Sequence, residues 1–441
     1  MKAGTNETKP GGTRRAGTLG VVLPACFLAA SWTWVIGMFL PVILTERFGP
    51  AGWAVFAVFN VFGAASVGVA LARPGAAGRF ARRHDTALGL FALVTIAFQA
   101  YAFGWIARRT LQGPAGTALP LGLDTGPAVT VAMCAFVGVW AISALVPWRW
   151  SMLLGAVVLA ASVVSFVLAA TGVWYGPFET PVPSMPDPGS GGAVALALAA
   201  PAIAAGFLAC PYLDPTINRV RRETPEPTGS RAFAIGFGGL FLVMISMTLG
   251  YAKVWHEHAS LPAVLVVHLL AQAGFTAGVQ TRALWSTGAL RKATGAKGSG
   301  SGRGPAAATG VAPGRIGPVK LFASSFALLL MLPLGNAVQD FGQLRPGLTW
   351  GQLLYEGFIA AYAVVFPAYV WICAAPWTPM VRASHGRRVL IFWLTAAAAL
   401  PGFAVGFLGE RYWLVAASIV LIAAAPWIAP RGWSASDSTG A

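Results

Sequence analysis

Apolar runs of about 20 residues follow one another along almost the whole chain, and no other feature constrains its fold so strongly. A run of that length matches the hydrocarbon thickness of a bilayer when helical. Inside lipid each backbone N–H and C=O must pair within its own segment, so every run is read as a helix. The chain predicts twelve spans: 18–45, 51–72, 86–107, 127–146, 150–173, 192–213, 231–251, 262–281, 319–338, 352–374, 387–408 and 411–430. Only 10% of the 441 residues are charged and the mean hydropathy is +0.68; soluble domains carry about 25% charged residues. The expected fold is an all-α polytopic membrane protein with one transmembrane domain, 18–430. A flexible polar segment, 1–17, precedes it and a cytoplasmic tail, 431–441, follows. The first apolar run is about 27 residues long, beyond the h-region of a cleaved signal peptide, and is read as a retained span.

Net charge is +16. In a soluble protein this would raise the question of nucleic acid, but here it tests topology. With the N-terminus placed in the cytoplasm, 24 of the 30 Lys and Arg fall on the cytoplasmic side and 6 on the other. That asymmetry is the positive-inside rule, and it places both termini in the cytoplasm of a cell whose plasma membrane holds the protein. A nucleic-acid surface would not alternate with span parity, so nucleic acid is excluded as a partner. The lipid bilayer is the expected partner, with anionic headgroups as a second use of the basic ends. The segment 283–318, rich in Gly, Ser, Ala and basic residues, is expected to be a disordered cytoplasmic loop. The outer loop 174–191 is rich in Pro and Gly.

Two spans carry breakers near their middle. The first, SWTWVIGMFLPVILTERFGPAG, holds Gly37 and then Pro41 before a Gly-Pro turn. The sixth, GGAVALALAAPAIAAGFLACPYL, holds Pro201, Gly206 and Pro211. Glycine and proline are common in membrane helices and often only kink them. A pair of interrupted spans at corresponding places in two halves is the sequence pointer to a carrier's binding site. A helix broken at mid-membrane frees N–H groups that favour anions and carbonyls that favour cations. The expected break lies at residues 36–40, and the expected site is lined by backbone near Thr33, Trp34, Gly37, Pro201 and Gly206.

The stretch VIGMFLPVILTERFGPAGWAVF resembles the first span and turn of amino acid–polyamine–organocation permeases. The stretch AAGFLACPYLDPTINRVRRETPEPTGSRAFAIGFGGLF is similar to their sixth span and the turn that follows it, with Asp214-Pro215 and Arg219 to Arg222 in the pattern. The match departs from the family in having the single Gly37 for a doubled-glycine motif and Ala200-Pro201-Ala202 at the sixth-span break. The resemblance implies a leucine-transporter-type fold of five plus five spans in inverted repeat, with two further C-terminal spans. It implies alternating access for a small organic solute such as an amino acid, amine or nucleobase, coupled to Na+ or H+.

Polar residues inside the apolar runs are functional candidates, because lipid makes them expensive. Three are candidates for the coupling ion. Glu356 lies about one turn into the tenth span. His268 lies in the eighth, where a structural histidine is the simpler reading and a proton relay the functional one. Thr276 follows on the same stripe beyond Gln272, in reach of first-span carbonyls by analogy with the fold. Asn60, Gln99, Asn336 and Gln339 read as interhelical glue. The four cysteines lack CxxC spacing and read as small packing residues. Lys253, His256, Glu257 and His258 cluster in an outer loop, too few ligands for a metal site. No nucleophile elbow, P-loop or dinucleotide fingerprint is present, so neither catalytic residues nor a cofactor are expected. The rival readings are a membrane-embedded transferase acting on a lipid-linked substrate and a major-facilitator-type transporter of six plus six spans.

Overall fold

The computed structural model describes residues 17–112, 125–171, 189–258, 261, 264–286, 330–341, 343–345 and 348–428. The N-terminal segment, most of the loop 283–318, the outer loop 174–188, the start of the ninth span and the tail lie outside the described residues. So do the side chains of Lys253, His256, Glu257 and His258.

The described chain is helical apart from a short antiparallel pair, β1 (Gln343–Arg345) and β2 (Leu348–Thr349). In order the helices are α1 (Thr18–Trp32), α2 (Val35–Ala70), α3 (Ala76–Arg83), α4 (Asp85–Gln112), α5 (Thr125–Leu145), α6 (Trp148–Ala170), α7 (Gly189–Leu213) and α8 (Pro215–Glu223). Helix α9 (Thr228–Ile235) runs through a π turn, Gly236–Phe241, into α10 (Leu242–His258). Then come α11 (Leu265–Ser286) and α12 (Met331–Ala337). Helix α13 (Trp350–Ala360) passes through a π turn, Ala361–Val365, into α14 (Phe366–Tyr369). Helices α15 (His385–Leu408) and α16 (Tyr412–Ile428) close the chain. Eight described helices are long and apolar enough to cross a membrane, and α1 and α16 are shorter apolar helices. Large apolar side chains such as Phe62, Val131, Val164, Leu394 and Val420 stand on the outer surface, where only lipid makes them comfortable. The chain is a polytopic helical membrane protein.

The later part of the first span and the whole of the second form one helix, α2, bent at a single residue. Gly49 takes φ 62°, a left-handed value that side chains disfavour, and Pro50 starts the next stretch with its φ already helical. Beyond that turn α2 packs along α7, and α10 packs on α2. A second group gathers α4, α5, α11 and α12: α11 lies along both α5 and α4, and α12 lies on α4. There the backbones nearly touch. A Cβ added at Gly104 would overlap the carbonyl of Leu332, and one added at Gly335 would overlap that of Tyr101. Small residues on both sides let two membrane helices approach this closely. Gln339 donates to the Trp105 carbonyl at 3.1 Å and so acts as glue, whereas Asn336 joins only through its backbone carbonyl, which accepts from Arg108 at 2.7 Å.

The sixth span corrects an expectation. Helix α7 runs unbroken from Gly189 to Leu213 through Pro201 and Pro211. Proline removes one N–H and its fixed φ is helical, so the loss is confined to a single hydrogen bond that the helix survives.

Candidate functional site

The break in the first span is real but sits earlier than Gly37. Helix α1 ends at Trp32, Thr33 has φ −77° and ψ 72°, Trp34 is extended, and α2 restarts at Val35. The local cause is the sequence Ser31-Trp32-Thr33-Trp34. The Ser31 hydroxyl donates to the Leu28 carbonyl at 3.4 Å and that of Thr33 to Ala29 at 2.7 Å. The Trp34 indole N–H donates back to the Ser31 carbonyl at 2.7 Å. These groups offer the backbone an alternative to the helical ladder. Gly37 belongs to the first turn of the restarted helix instead.

Four other spans hold the break in place. The Val35 N–H donates to Oε1 of Gln99 on α4 at 3.2 Å. The Tyr355 hydroxyl of α13 donates to the Val35 carbonyl at 3.0 Å, and the Tyr251 hydroxyl of α10 donates to that of Met38. Trp32 donates its indole N–H to Oδ1 of Asn60, in the second-span half of α2, at 2.7 Å. Helical hydrogen bonding resumes with the Met38 N–H on the Trp34 carbonyl. The N–H groups of Ile36 and Gly37 therefore have no acceptor within their own helix.

Those two residues open onto a cavity of about 50 Å³. Its walls are Trp32, Trp34 and Leu40 from the first span, Ile203, Gly206 and Phe207 from α7, Tyr362 and Ala363 from the π turn after α13, and Phe403 and Phe407 from α15. The volume holds roughly four water-sized groups. The walls are almost wholly apolar. Asn60 lines the cavity and is 2% exposed; with its oxygen taken by Trp32, its Nδ2 hydrogens make no bond among the described residues. The Tyr362 hydroxyl is paired with that of Thr95 at 2.9 Å. Among the described residues, the polar groups that these lining residues leave unpaired are donors: the backbone N–H groups of Ile36 and Gly37 and the Asn60 NH2. Both π turns stand beside it, since Phe241 of the first lies 3.7 Å from where a Gly37 Cβ would be.

The expected site residues divide. Trp34, Gly37 and Gly206 line the cavity. Thr33 is buried, with its hydroxyl turned back on Ala29. Pro201 is exposed on the outer face of α7, away from the cavity. The cavity also draws on Asn60, Tyr362 and Phe407, which sequence reasoning treated as glue or passed over. The only signal for Asn60 was its polarity within an apolar run.

The three coupling candidates are not brought together. Glu356 has a fully buried side chain and accepts from Arg47 at 2.7 Å and from Gln352 at 2.8 Å. The Arg47 guanidinium also lies 4.8 Å over the Phe407 ring and reaches the Phe407 carbonyl. Since Leu44 and Phe407 both line the cavity, this ion pair roofs it toward the Gly49 turn. His268 and Thr276 lie buried on α11, and neither hydrogen-bonds among the described residues.

At the opposite end Asp214 is buried and caps α8. Its Oδ1 accepts from the Thr216 N–H and hydroxyl at 2.6 Å and from the Ile217 N–H at 3.1 Å. Its Oδ2 accepts from Gln280 at 2.7 Å. Burial pushes this carboxyl up to about 6, against the pull of those donors.

No family model matches the chain, and no curated protein matches it. Solved structures do. One is Mhp1, a nucleobase-cation-symport-1 family transporter in a closed conformation with bromovinylhydantoin bound, at 13% identity, 92% of this chain, 92% of that one and a TM-score of 0.43. Another is a Na+-coupled sialic acid symporter in a substrate-bound outward-open state, at 11% identity, 92% of this chain, 90% of that one and a TM-score of 0.47.

Proposed function

We propose that the chain is a secondary active transporter that moves a small organic solute by alternating access around the break in its first span. One observation carries this. A membrane helix is interrupted at Thr33–Trp34, four neighbouring spans hold it open, and Ile36 and Gly37, whose N–H groups have no acceptor in their own helix, line a cavity together with Asn60. A chain would not sustain such a break in lipid unless the opened backbone were used.

The donor set narrows the solute. Three N–H donors and no carboxylate favour a molecule that presents acceptor oxygens, a carboxylate or an imide-like carbonyl pair, on an apolar or aromatic body. Amino acids and nucleobase-like rings meet that description; simple amines do not. Trp32, Trp34 and Tyr362 supply faces on which a flat ring stacks. At its described volume the cavity is contracted, and the Arg47–Glu356 pair over it acts as a gate whose opening admits the solute. The charge asymmetry supports placing that gate on the outer side and Asp214 with the basic helix α8 in the cytoplasm.

The test is uptake by proteoliposomes of a panel of radiolabelled amino acids, nucleobases and hydantoins, with a Na+ or a proton gradient imposed. At least one member of the acceptor-bearing class is expected to accumulate, and to stop doing so in Asn60→Asp. Accumulation of none, or equal accumulation in the variant, overturns the reading.

A further inference from the structure

Four polar side chains occupy every fourth position of α11: His268, Gln272, Thr276 and Gln280. Residues four apart share one face of a helix, so they form a file that rises about 18 Å. All four are buried, none more than 1% exposed. Each keeps polar capacity that nothing among the described residues satisfies: both ring nitrogens of His268, Oε1 of Gln272, the Thr276 hydroxyl and Oε1 of Gln280. Among the described residues, sideways bonds engage only the two amide nitrogens. Gln272 donates to the Ser162 hydroxyl of α6 at 2.8 Å and Gln280 donates to Asp214.

A buried polar atom without a partner is unfavourable by ~1–3 kcal/mol. Packing alone does not retain five of them in one line. Successive rungs lie about 6 Å apart along the axis, a gap that one water spans with a hydrogen bond to each side. The file ends on a carboxyl, since Asp214 holds Oδ1 in the cap of α8 and turns Oδ2 to Gln280.

We propose that this file is a water-bridged proton path between His268 and Asp214. Asp214 takes a proton from the cytoplasmic side. Each bridging water accepts one proton and passes one on, and His268 ends as an imidazolium, with one proton transferred and no other bond changed. Gln272, Thr276 and Gln280 hold the waters and do not ionise. Titratable neighbours are few. Tyr362 stands next to Cys210, whose thiol donates to its carbonyl. Cys210, in α7, precedes Asp214. Of the arginines on α8, Arg219 and Arg222 pair with Glu223 and Arg221 with Glu226. Arg82 and Arg83 belong to α3, which packs on α8. Arg282, half a turn past Gln280, donates to the Val146 carbonyl. No charged side chain among the described residues acts on His268. The path rests on the carrier reading for its purpose, and it names the proton as the coupling ion.

The experiment is infrared difference spectroscopy on the full-length protein in lipid, labelled with isotopic histidine, after a proton jump from a photolysed caged acid. A rising imidazolium band that His268→Gln removes is expected. Asp214→Asn and Thr276→Val should slow its rise at least tenfold, while Thr276→Ser restores it. Variants are compared only where they elute as monodisperse protein. A band absent from wild type, or one that rises at the wild-type rate in both Asp214→Asn and Thr276→Val, overturns the path. Because the readout needs no solute, the two readings fail separately. An intact band in a protein that carries none of the solute panel removes the carrier alone, and uptake without the band removes the path alone.

Discussion

Trp32 donates its indole N–H to Oδ1 of Asn60 at 2.7 Å, and in doing so fixes which way that amide points. The bond ties the end of α1 to the second-span half of α2 and leaves the Asn60 NH2 as the side-chain donor on the cavity. Asn60→Leu should therefore destabilise the protein by about 1–3 kcal/mol, since the buried indole N–H loses its acceptor. Asn60→Asp keeps the acceptor, so its thermal midpoint should fall less than that of Asn60→Leu while solute affinity drops more than tenfold. Parallel thermal unfolding and binding measurements check both.

Gly37 separates space from chemistry. A Cβ there meets nothing nearer than 3.7 Å, so Gly37→Ala should fold normally and keep affinity within a few fold. Gly37→Trp fills the cavity and should abolish uptake while the protein still reaches the membrane. Equal uptake by the tryptophan variant would place the solute elsewhere.

In the Arg47–Glu356 pair the carboxylate is fully buried and the guanidinium is 11% exposed. Removing one member of such a pair strands a charge, and Glu356→Ala should lower stability by about 3–5 kcal/mol. Arg47→Met together with Glu356→Leu should fall well short of the sum of the single changes. A double-mutant cycle read by thermal unfolding measures the difference. A gate also predicts that the double variant leaks solute faster than wild type.

His84 supplies a pH dependence. It caps α3, is 6% exposed, and its Nδ1 is 3.0 Å from the Tyr369 hydroxyl. Burial first, then the neighbouring Arg83, Arg388 and His385, lower its pKa to about 4. The unfolded chain takes up that proton near pH 6.5, before the folded one does. The stability this histidine contributes is thus whole above pH 6.5 and is lost as pH falls toward 4. His84→Phe should flatten the fall in thermal midpoint between pH 7 and pH 5.

Much of this was legible in the sequence. The length and spacing of the apolar runs located the spans that the described residues cover, because lipid leaves the backbone no alternative. Gly49-Pro50 announced a turn whose positive φ the structure bears out. The break was misplaced by a few residues because glycine draws the eye. What stops α1 is the Ser31 and Thr33 hydroxyls bonding the carbonyls of Leu28 and Ala29, a competition visible only when the partners are seen. The sixth span misled for the opposite reason, since Pro201 kept its helical φ and faced outward. The buried ion pair lay beyond reach: Arg47 and Glu356 are separated by 309 positions, and nothing local to either marks the other.

Gly104 and Gly335 place the backbones of the third and ninth spans in mutual contact, with no side chain between them to slide or yield. A joint that tight does not flex. A methyl group on either glycine would land on the opposing carbonyl and pry the two helices apart.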